Sequence, residues 1–173
     1  MVELNLPRLH EAIAAAVPDR ECIVHRDRHL TWSQVTDRTR RFAAGLAGHG
    51  VGRCGALADR AGWESPHDHV ALYLHNGPEY LEAMLGAMKA GAAAVNVNYR
   101  YVADELRYLL ADSGAGVIVH HEAFTPTLAA VLPDLPNVGL LVRVPDGSGH
   151  PLIADTAHRR TVDYDELLAA SDP

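Results

Sequence analysis

Four short apolar runs punctuate the chain, at residues 69–75 (HVALYLH), 92–98 (AAAVNVN), 115–121 (AGVIVHH) and 138–144 (VGLLVRV). Between them, residues 79–90, 104–113 and 125–132 repeat apolar side chains at three- and four-residue intervals. Strands of this length alternating with helices form βαβ units, which imply a largely parallel sheet covered by helices on both faces. The runs are apolar at consecutive positions, as strands buried on two sides require. The chain therefore reads as α/β, with right-handed crossovers.

Upstream, residues 9–17 form an alanine-rich helical pattern stopped by Pro18, and residues 21–25 have strand character. The chain turns at Asp27 and Arg28 and returns at Leu30, the mark of a small hairpin. Thr31-Trp32-Ser33-Gln34 has the spacing of a capping box, in which the Thr hydroxyl and the Gln side chain each satisfy an orphan backbone donor. Trp32, Val35, Thr39, Phe42, Ala43 and Leu46 then recur on one helical face, and Gly48 and Gly50 offer its stop. Residues 50–68 lapse into glycine, alanine, charge and Pro66, and read as a loop insertion. Residues 146–158 read as an exposed loop and 163–170 as a closing helix.

The 173 residues, 48% hydrophobic and 21% charged, suit one folded piece spanning 1–173. With 15 basic against 22 acidic residues the net charge is −7, which argues against a nucleic-acid partner, because phosphate contacts need a basic patch. No run reaches the ~18 apolar residues of a transmembrane segment. Nothing resembles a secretory leader, and Cys22 and Cys54 cannot build a disulfide framework. A reducing cytoplasm is the expected compartment.

Several strings invite chemistry. Gly50-Val51-Gly52-Arg53-Cys54-Gly55 spells G-x-G-x-x-G, but it follows a helix and leads into a loop, whereas a dinucleotide site needs strand, turn and helix. It reads as a helix stop. Lys89, the only lysine, ends a helical pattern, where a cation suits the helix dipole. Among eleven histidines, His120 and His121 point to opposite faces of a strand, and His67 with His69 supply only a pair, so no metal site is expected. There is no G-x-S-x-G elbow. Asn96-Val97-Asn98-Tyr99-Arg100-Tyr101 lies at the carboxyl end of an expected parallel strand, where α/β sheets collect ligands. Turn chemistry accounts for its asparagines well and for Arg100 less well.

Three segments in order resemble the adenylate-forming enzymes, the group of acyl-CoA synthetases, peptide-synthetase adenylation domains and luciferases. Leu30-Thr31-Trp32-Ser33-Gln34-Val35 resembles their L-T-[YW]-x-[EQ]-[LV] opening. Asn76-Gly77-Pro78-Glu79-Tyr80, then LGAMKAG at 85–91, then Ala94 to Arg100 resemble N-x-x-E-[FY]…G-x-x-[KR]-A-G-A-x-x-[VP]-x-N-x-R. Residues 104–110 (DELRYLL) continue it, and the N-V-N-Y-R-Y form is most similar to FadD-type fatty-acyl and steroid-side-chain CoA ligases of actinobacteria.

The resemblance, over residues 7–171, implies the N-terminal α/β part of the large domain of an acyl-CoA synthetase. Such enzymes activate a fatty-acid or other lipid carboxylate with ATP to an acyl-adenylate and pyrophosphate, then pass the acyl group to CoA. ATP, Mg and CoA are the implied cofactors of the whole enzyme, with none bound tightly by this part. The phosphate loop, the acidic ATP motifs and the adenylation lysine are expected beyond Pro173, so no catalytic residue is assigned here and the part alone is expected to be inactive. Arg100 is the one site residue carried over, as a candidate contact for a CoA phosphate. Trp63 is expected beside an acyl tunnel, at a dimer surface, or simply exposed on the insertion; a homodimer is one expected assembly. The alternative, a stand-alone flavodoxin-like nucleotide- or partner-binding module, explains the βα alternation equally well but not the ordered motifs.

Overall fold

The computed structural model describes residues 5–52, 55, 61–62 and 64–173. It opens with α1 (Leu6–Ala16), capped by Asn5, whose side-chain oxygen accepts the Arg8 N–H at 3.0 Å. An antiparallel hairpin follows, β1 (Glu21–His25) and β2 (Arg28–Thr31), with Arg26 at φ 52° in the tight turn. The capping box then forms as expected: Thr31 Oγ1 accepts the Gln34 N–H at 3.3 Å, and Gln34 Oε1 accepts the Thr31 N–H at 2.8 Å.

That box starts α2 (Trp32–Gly48). Gly50 ends it at φ +76°, with the Val51 N–H on the Leu46 carbonyl at 3.0 Å and the Gly50 N–H on the Ala47 carbonyl at 2.9 Å. These two bonds make a Schellman stop, so the first glycine of the G-x-G-x-x-G string terminates a helix. Arg53, Cys54 and Trp63 lie outside the described residues. The ends of the connection meet: the Gly52 N–H donates to Asp68 Oδ2 and the Asp68 N–H to the Gly52 carbonyl, both at 2.8 Å.

The βα alternation then proceeds through β3 (His69–Tyr73), α3 (Pro78–Lys89), β4 (Ala93–Asn96), α4 (Ala103–Asp112), β5 (Val117–His121), α5 (Thr125–Val131), β6 (Leu140–Val144), β7 (Arg160–Asp163) and α6 (Tyr164–Ala169). All five strands of this sheet run parallel in the order β4-β3-β5-β6-β7. The α/β class is as read from the sequence, with one strand added. Arg160-Thr161-Val162-Asp163 has a single aliphatic residue and lies half exposed at the sheet edge, so it carries little periodic signal. Backbone pairing to β6 and the two bonds from Arg143 to Asp163, at 2.7 and 3.1 Å, hold it there. Asp163, expected to begin the closing helix, is the last strand residue and the backbone cap of α6; its carboxylate is committed to Arg143 and does not cap.

Each central strand feeds two cores. Val70 and Leu72 point with Phe42, Leu46, Val119, Val142 and Tyr164 into the layer under α2, α3 and α6. Ala71 and Tyr73 point the other way, with Leu106, Leu110, Ile118, Leu128 and Leu141 under α4 and α5.

A polar seam crosses the first layer. Glu82 on α3 is fully buried; its carboxylate accepts from Arg38 Nε at 2.9 Å and from the Tyr164 hydroxyl at 3.1 Å. Burial pushes the Glu82 carboxyl up, and Arg38 opposes that shift. Arg38 also reaches Asp165 at 3.1 Å, so one guanidinium joins α2, α3 and α6. Lys89 does end α3, and it does more: its ammonium bonds Glu11 at 2.5 Å and Thr39 Oγ1 at 2.8 Å, tying α1, α2 and α3.

The tightest packing is between α2 and α3 at Gly86. A Cβ there would lie 2.6 Å from the Phe42 ring and 3.0 Å from the Thr39 carbonyl, and Phe42 is itself fully buried and stacked on Tyr164 at 5.3 Å. Alanine's helix preference over glycine is worth about 1 kcal/mol, and overpacking a rigid core costs about 1–3 kcal/mol. Gly86→Ala should therefore lose stability in urea denaturation, whereas Gly48→Ala, facing open space at the last turn of α2, should gain up to about 1 kcal/mol.

Candidate functional site at the carboxyl edge of the sheet

The chain leaves β3 to form β4 on one side, then crosses to the other side for β5. At such a reversal the loops after the two central strands part, and a crevice opens beyond their carboxyl ends. In this chain that switch point lies where β3 runs out into Leu74 and His75 and β5 ends at His121.

Five rings meet there. His75 lies 4.8 Å from Tyr99, 4.7 Å from Phe124 and 5.4 Å from His121, centroid to centroid, and Phe124 stacks on Tyr73 at 4.4 Å. The His75 N–H donates to His121 Nδ1 at 3.0 Å, so the neutral His121 ring carries its proton on Nε2. Burial lowers the His121 pKa.

The Asn96 to Tyr101 string leaves β4 into this edge. The Asn98 side-chain oxygen accepts the Arg100 N–H at 3.0 Å, an Asx turn that sets the backbone of the N-x-R triplet. Arg100 is exposed, with its Cζ 5.5 Å from the centre of the Tyr99 ring. Among the described residues no carboxylate pairs with it, whereas Arg38, Arg40, Arg41, Arg107, Arg143 and Arg160 all have carboxylate partners. A planar, permanently charged fork in that state suits a phosphate or carboxylate ligand.

Residues 145–150 adjoin the same edge and are anchored to it. Glu122 Oε2 accepts the N–H groups of Asp146 and Gly147, both at 3.2 Å, while Asp146 Oδ2 accepts the Ala123 N–H at 3.0 Å. Arg143 completes the clasp through the His150 carbonyl at 2.9 Å. The Gly147-Ser148-Gly149 turn does not cradle an anion, because its first N–H groups already serve carboxylates: Glu122 takes Gly147 and Asp146 takes Ser148 at 3.0 Å.

The other sequence candidates do not converge here. His67 Nδ1 binds the Gly91 carbonyl at 2.6 Å and His69 Nδ1 the Ser113 carbonyl at 2.5 Å, so each ring fastens a different connection. His120 faces the second core, 1% exposed, its Nδ1 on the His121 carbonyl at 3.0 Å. Cys22 lies on β1 with its thiol pushed up by burial, away from a reactive state. Among the described residues no three His, Cys, Asp or Glu side chains are grouped to hold a metal, and no helix is long and apolar enough to cross a membrane. Sequence reading missed His75, Phe124, Glu122 and Asp146; only the strand order shows that the ends of β3 and β5 are neighbours.

The sequence profile of the AMP-binding enzyme family matches residues 10–170. The chain belongs to that family. It is 45% identical over 166 residues to the medium-chain acyl-CoA ligase Mig of Mycobacterium avium, covering 96% of this chain and 29% of that protein. It is 38% identical over 174 residues to the medium/long-chain-fatty-acid and 3-oxocholest-4-en-26-oate CoA ligase of Mycobacterium tuberculosis (strain ATCC 25618 / H37Rv), covering 99% and 28%. The chain thus spans less than a third of the length of these relatives. Among solved structures, the anthranilate CoA ligase AuaEII superposes with TM-score 0.79 at 20% identity, over 99% of this chain and 29% of that one. The N-terminal domain of FACL13 from Mycobacterium tuberculosis superposes with TM-score 0.74 at 22% identity, over 98% and 36%. These two likenesses show the fold.

Burial at this edge has a pH signature. His120 is held neutral, with its pKa lowered from 6.5 to about 4. Between those values the unfolded chain binds a proton that the folded chain refuses, so stability falls as pH drops from 6.5 toward 4. The slope is about 1.4 kcal/mol per pH unit for each such group. Urea denaturation at pH 7 and pH 5 should show this loss, and His120→Leu should flatten it by about one proton's worth; an unchanged slope would refute the assignment.

Proposed function

We propose that this chain is the N-terminal α/β part of an ATP-dependent acyl-CoA ligase acting on a fatty-acid or steroid side-chain carboxylate. The observation that carries the reading is the likeness across nearly the whole chain to relatives named as acyl-CoA ligases. In that enzyme ATP with Mg supplies the activation, forming an acyl-adenylate and pyrophosphate, and the CoA thiol then takes the acyl group as AMP leaves. The groups that stabilise charge on the ATP phosphates would come from segments outside this chain. The residues described here would build the scaffold and the CoA side of the site, in the cytoplasm. The Gly52–Asp68 clasp supports reading residues 50–68 as an insertion whose ends are already joined. Exposed Val102, which precedes α4, and Tyr108 on α4 are apolar side chains available to a homodimer or to the rest of the enzyme.

Arg100 is the proposed contact for a CoA phosphate. Its exposure, its place at the carboxyl edge and its freedom from a carboxylate among the described residues all suit that role. The flavodoxin-like alternative keeps one supporting observation, because the order β4-β3-β5-β6-β7 is the 2-1-3-4-5 order of that fold. The gene decides between them: reading onward from Pro173 into a Ser/Thr/Gly-rich phosphate loop supports the ligase, and a stop codon there supports the module.

A hydrogen-bonded charge pair contributes about 1.5–3 kcal/mol. In the full-length ligase, Arg100→Ala should raise the apparent KM for CoA by roughly tenfold or more, with kcat and the KM for ATP little changed; an unaltered CoA KM would remove the assignment. The 173 residues alone should form no acyl-CoA from fatty acid, ATP, Mg and CoA, and thioester in a mass-spectrometric assay of the purified chain would overturn that expectation.

A further inference from the structure

Arg100 stands on a built platform. An exposed arginine ordinarily spreads over several rotamers, and fixing them on binding costs about 0.5–1.5 kcal/mol. Here three contacts narrow that choice before any ligand arrives. The Asn98 side chain fixes the Arg100 backbone N–H at 3.0 Å. The Tyr99 ring lies beneath the guanidinium, 5.5 Å from Cζ to centroid. Tyr99 is in turn held from the β3 side by the His75 ring at 4.8 Å.

His75 itself is located twice. Its backbone N–H is bound to His121 Nδ1 at 3.0 Å, and its ring packs on Phe124 at 4.7 Å. The chain of contact therefore runs from the ends of β5 and β3 through His75 and Tyr99 to the guanidinium. It crosses the edge of the sheet from the switch point to the loop after β4.

We propose that Tyr99 is a positioning residue for Arg100, and that His75 holds the Tyr99 ring so that the guanidinium is presented preorganised to an anionic group of the substrate. This rests on the reading of Arg100 as a CoA phosphate contact. Tyr99 acts through its ring face and touches no reacting atom. Its hydroxyl is dispensable, because the attraction of a cation to an aromatic face belongs to the ring.

The test is a double-mutant cycle in the full-length ligase, read as the apparent KM for CoA and kcat. A cation–π contact at an exposed site corresponds to roughly a two- to fivefold effect. Tyr99→Leu should raise the CoA KM by that factor with kcat and the KM values for ATP and fatty acid unmoved, and Tyr99→Phe should behave as the parent. In the Arg100→Ala background Tyr99→Leu should add nothing, since a residue that works only through the guanidinium has no effect once it is gone. His75→Leu, which removes the imidazole that holds Tyr99, and Asn98→Ala, which removes the Asx contact, should show the same CoA-only signature, so the proposal is tested even if Tyr99→Leu is poorly folded.

If Arg100→Ala raises the CoA KM while Tyr99→Leu, His75→Leu and Asn98→Ala leave it alone, the platform is wrong and the Arg100 reading stands. Equal loss in Tyr99→Leu with and without Arg100, or a uniform fall in kcat, would likewise overturn the platform. An Arg100→Ala enzyme with parental CoA KM would overturn the reading of Arg100 itself.

Discussion

The pairing of β3 on both sides is the constraint on which the rest of the molecule depends. Val70, Ala71 and Leu72 are hydrogen-bonded in register to β4 on one flank and β5 on the other. A strand so enclosed has no solvent face and no free edge, and its side chains must be apolar in both directions, as they are. Two consequences follow together. Helices have to cover both faces, which creates the two cores. The connection from β4 to β5 has to pass over β3, which makes the switch point where His75, Tyr99, His121 and Phe124 meet.

Charge is distributed around this apolar centre with a division of labour. Arg38, Glu82 and Tyr164 sit inside the first layer, where burial would make any lone partner costly; removing one member of such a buried pair costs about 3–5 kcal/mol. Arg143 with Asp163, and Glu122 with the Asp146 loop, fasten the far end of the sheet. The described arginines of the core and its rim thus have carboxylate or carbonyl work to do. Arg100 instead rests on a ring, with its charge turned to no carboxylate among the described residues. That ring contact, at the carboxyl edge of the sheet, is what marks it.

Much of this was legible in the residues. The Thr31 capping box, the Gly50 stop, the four apolar runs and the helices between them could be read because each rests on local chemistry: a hydroxyl three residues from an amide, a backbone that needs positive φ, an unbroken apolar run, a period of 3.6. The β7 strand was not legible, because Arg160-Thr161-Val162-Asp163 owes its place to pairing with β6 and to Arg143, both distant in sequence. Lys89 was legible as a helix end, but its bonds to Glu11 and Thr39 need α1 and α2 to be in place. Glu82 interrupts the apolar face of α3, a signal visible in the sequence; its partners lie 44 and 82 residues away.

The amino-acid sequence by itself determined the α/β class, the helices to within a few residues at their ends (α1 begins at Leu6, three residues before its expected start) and the family, through short-range periodicity and ordered motifs. It also singled out Arg100, as a charge that turn chemistry explained less well than it did the neighbouring asparagines. Only the tertiary structure decided the strand order, and with it which carboxyl ends are neighbours. The physical reason is that a parallel sheet joins strands through crossovers, so the contacts that make a site, His75 to Tyr99 and His75 to His121, connect residues far apart along the chain.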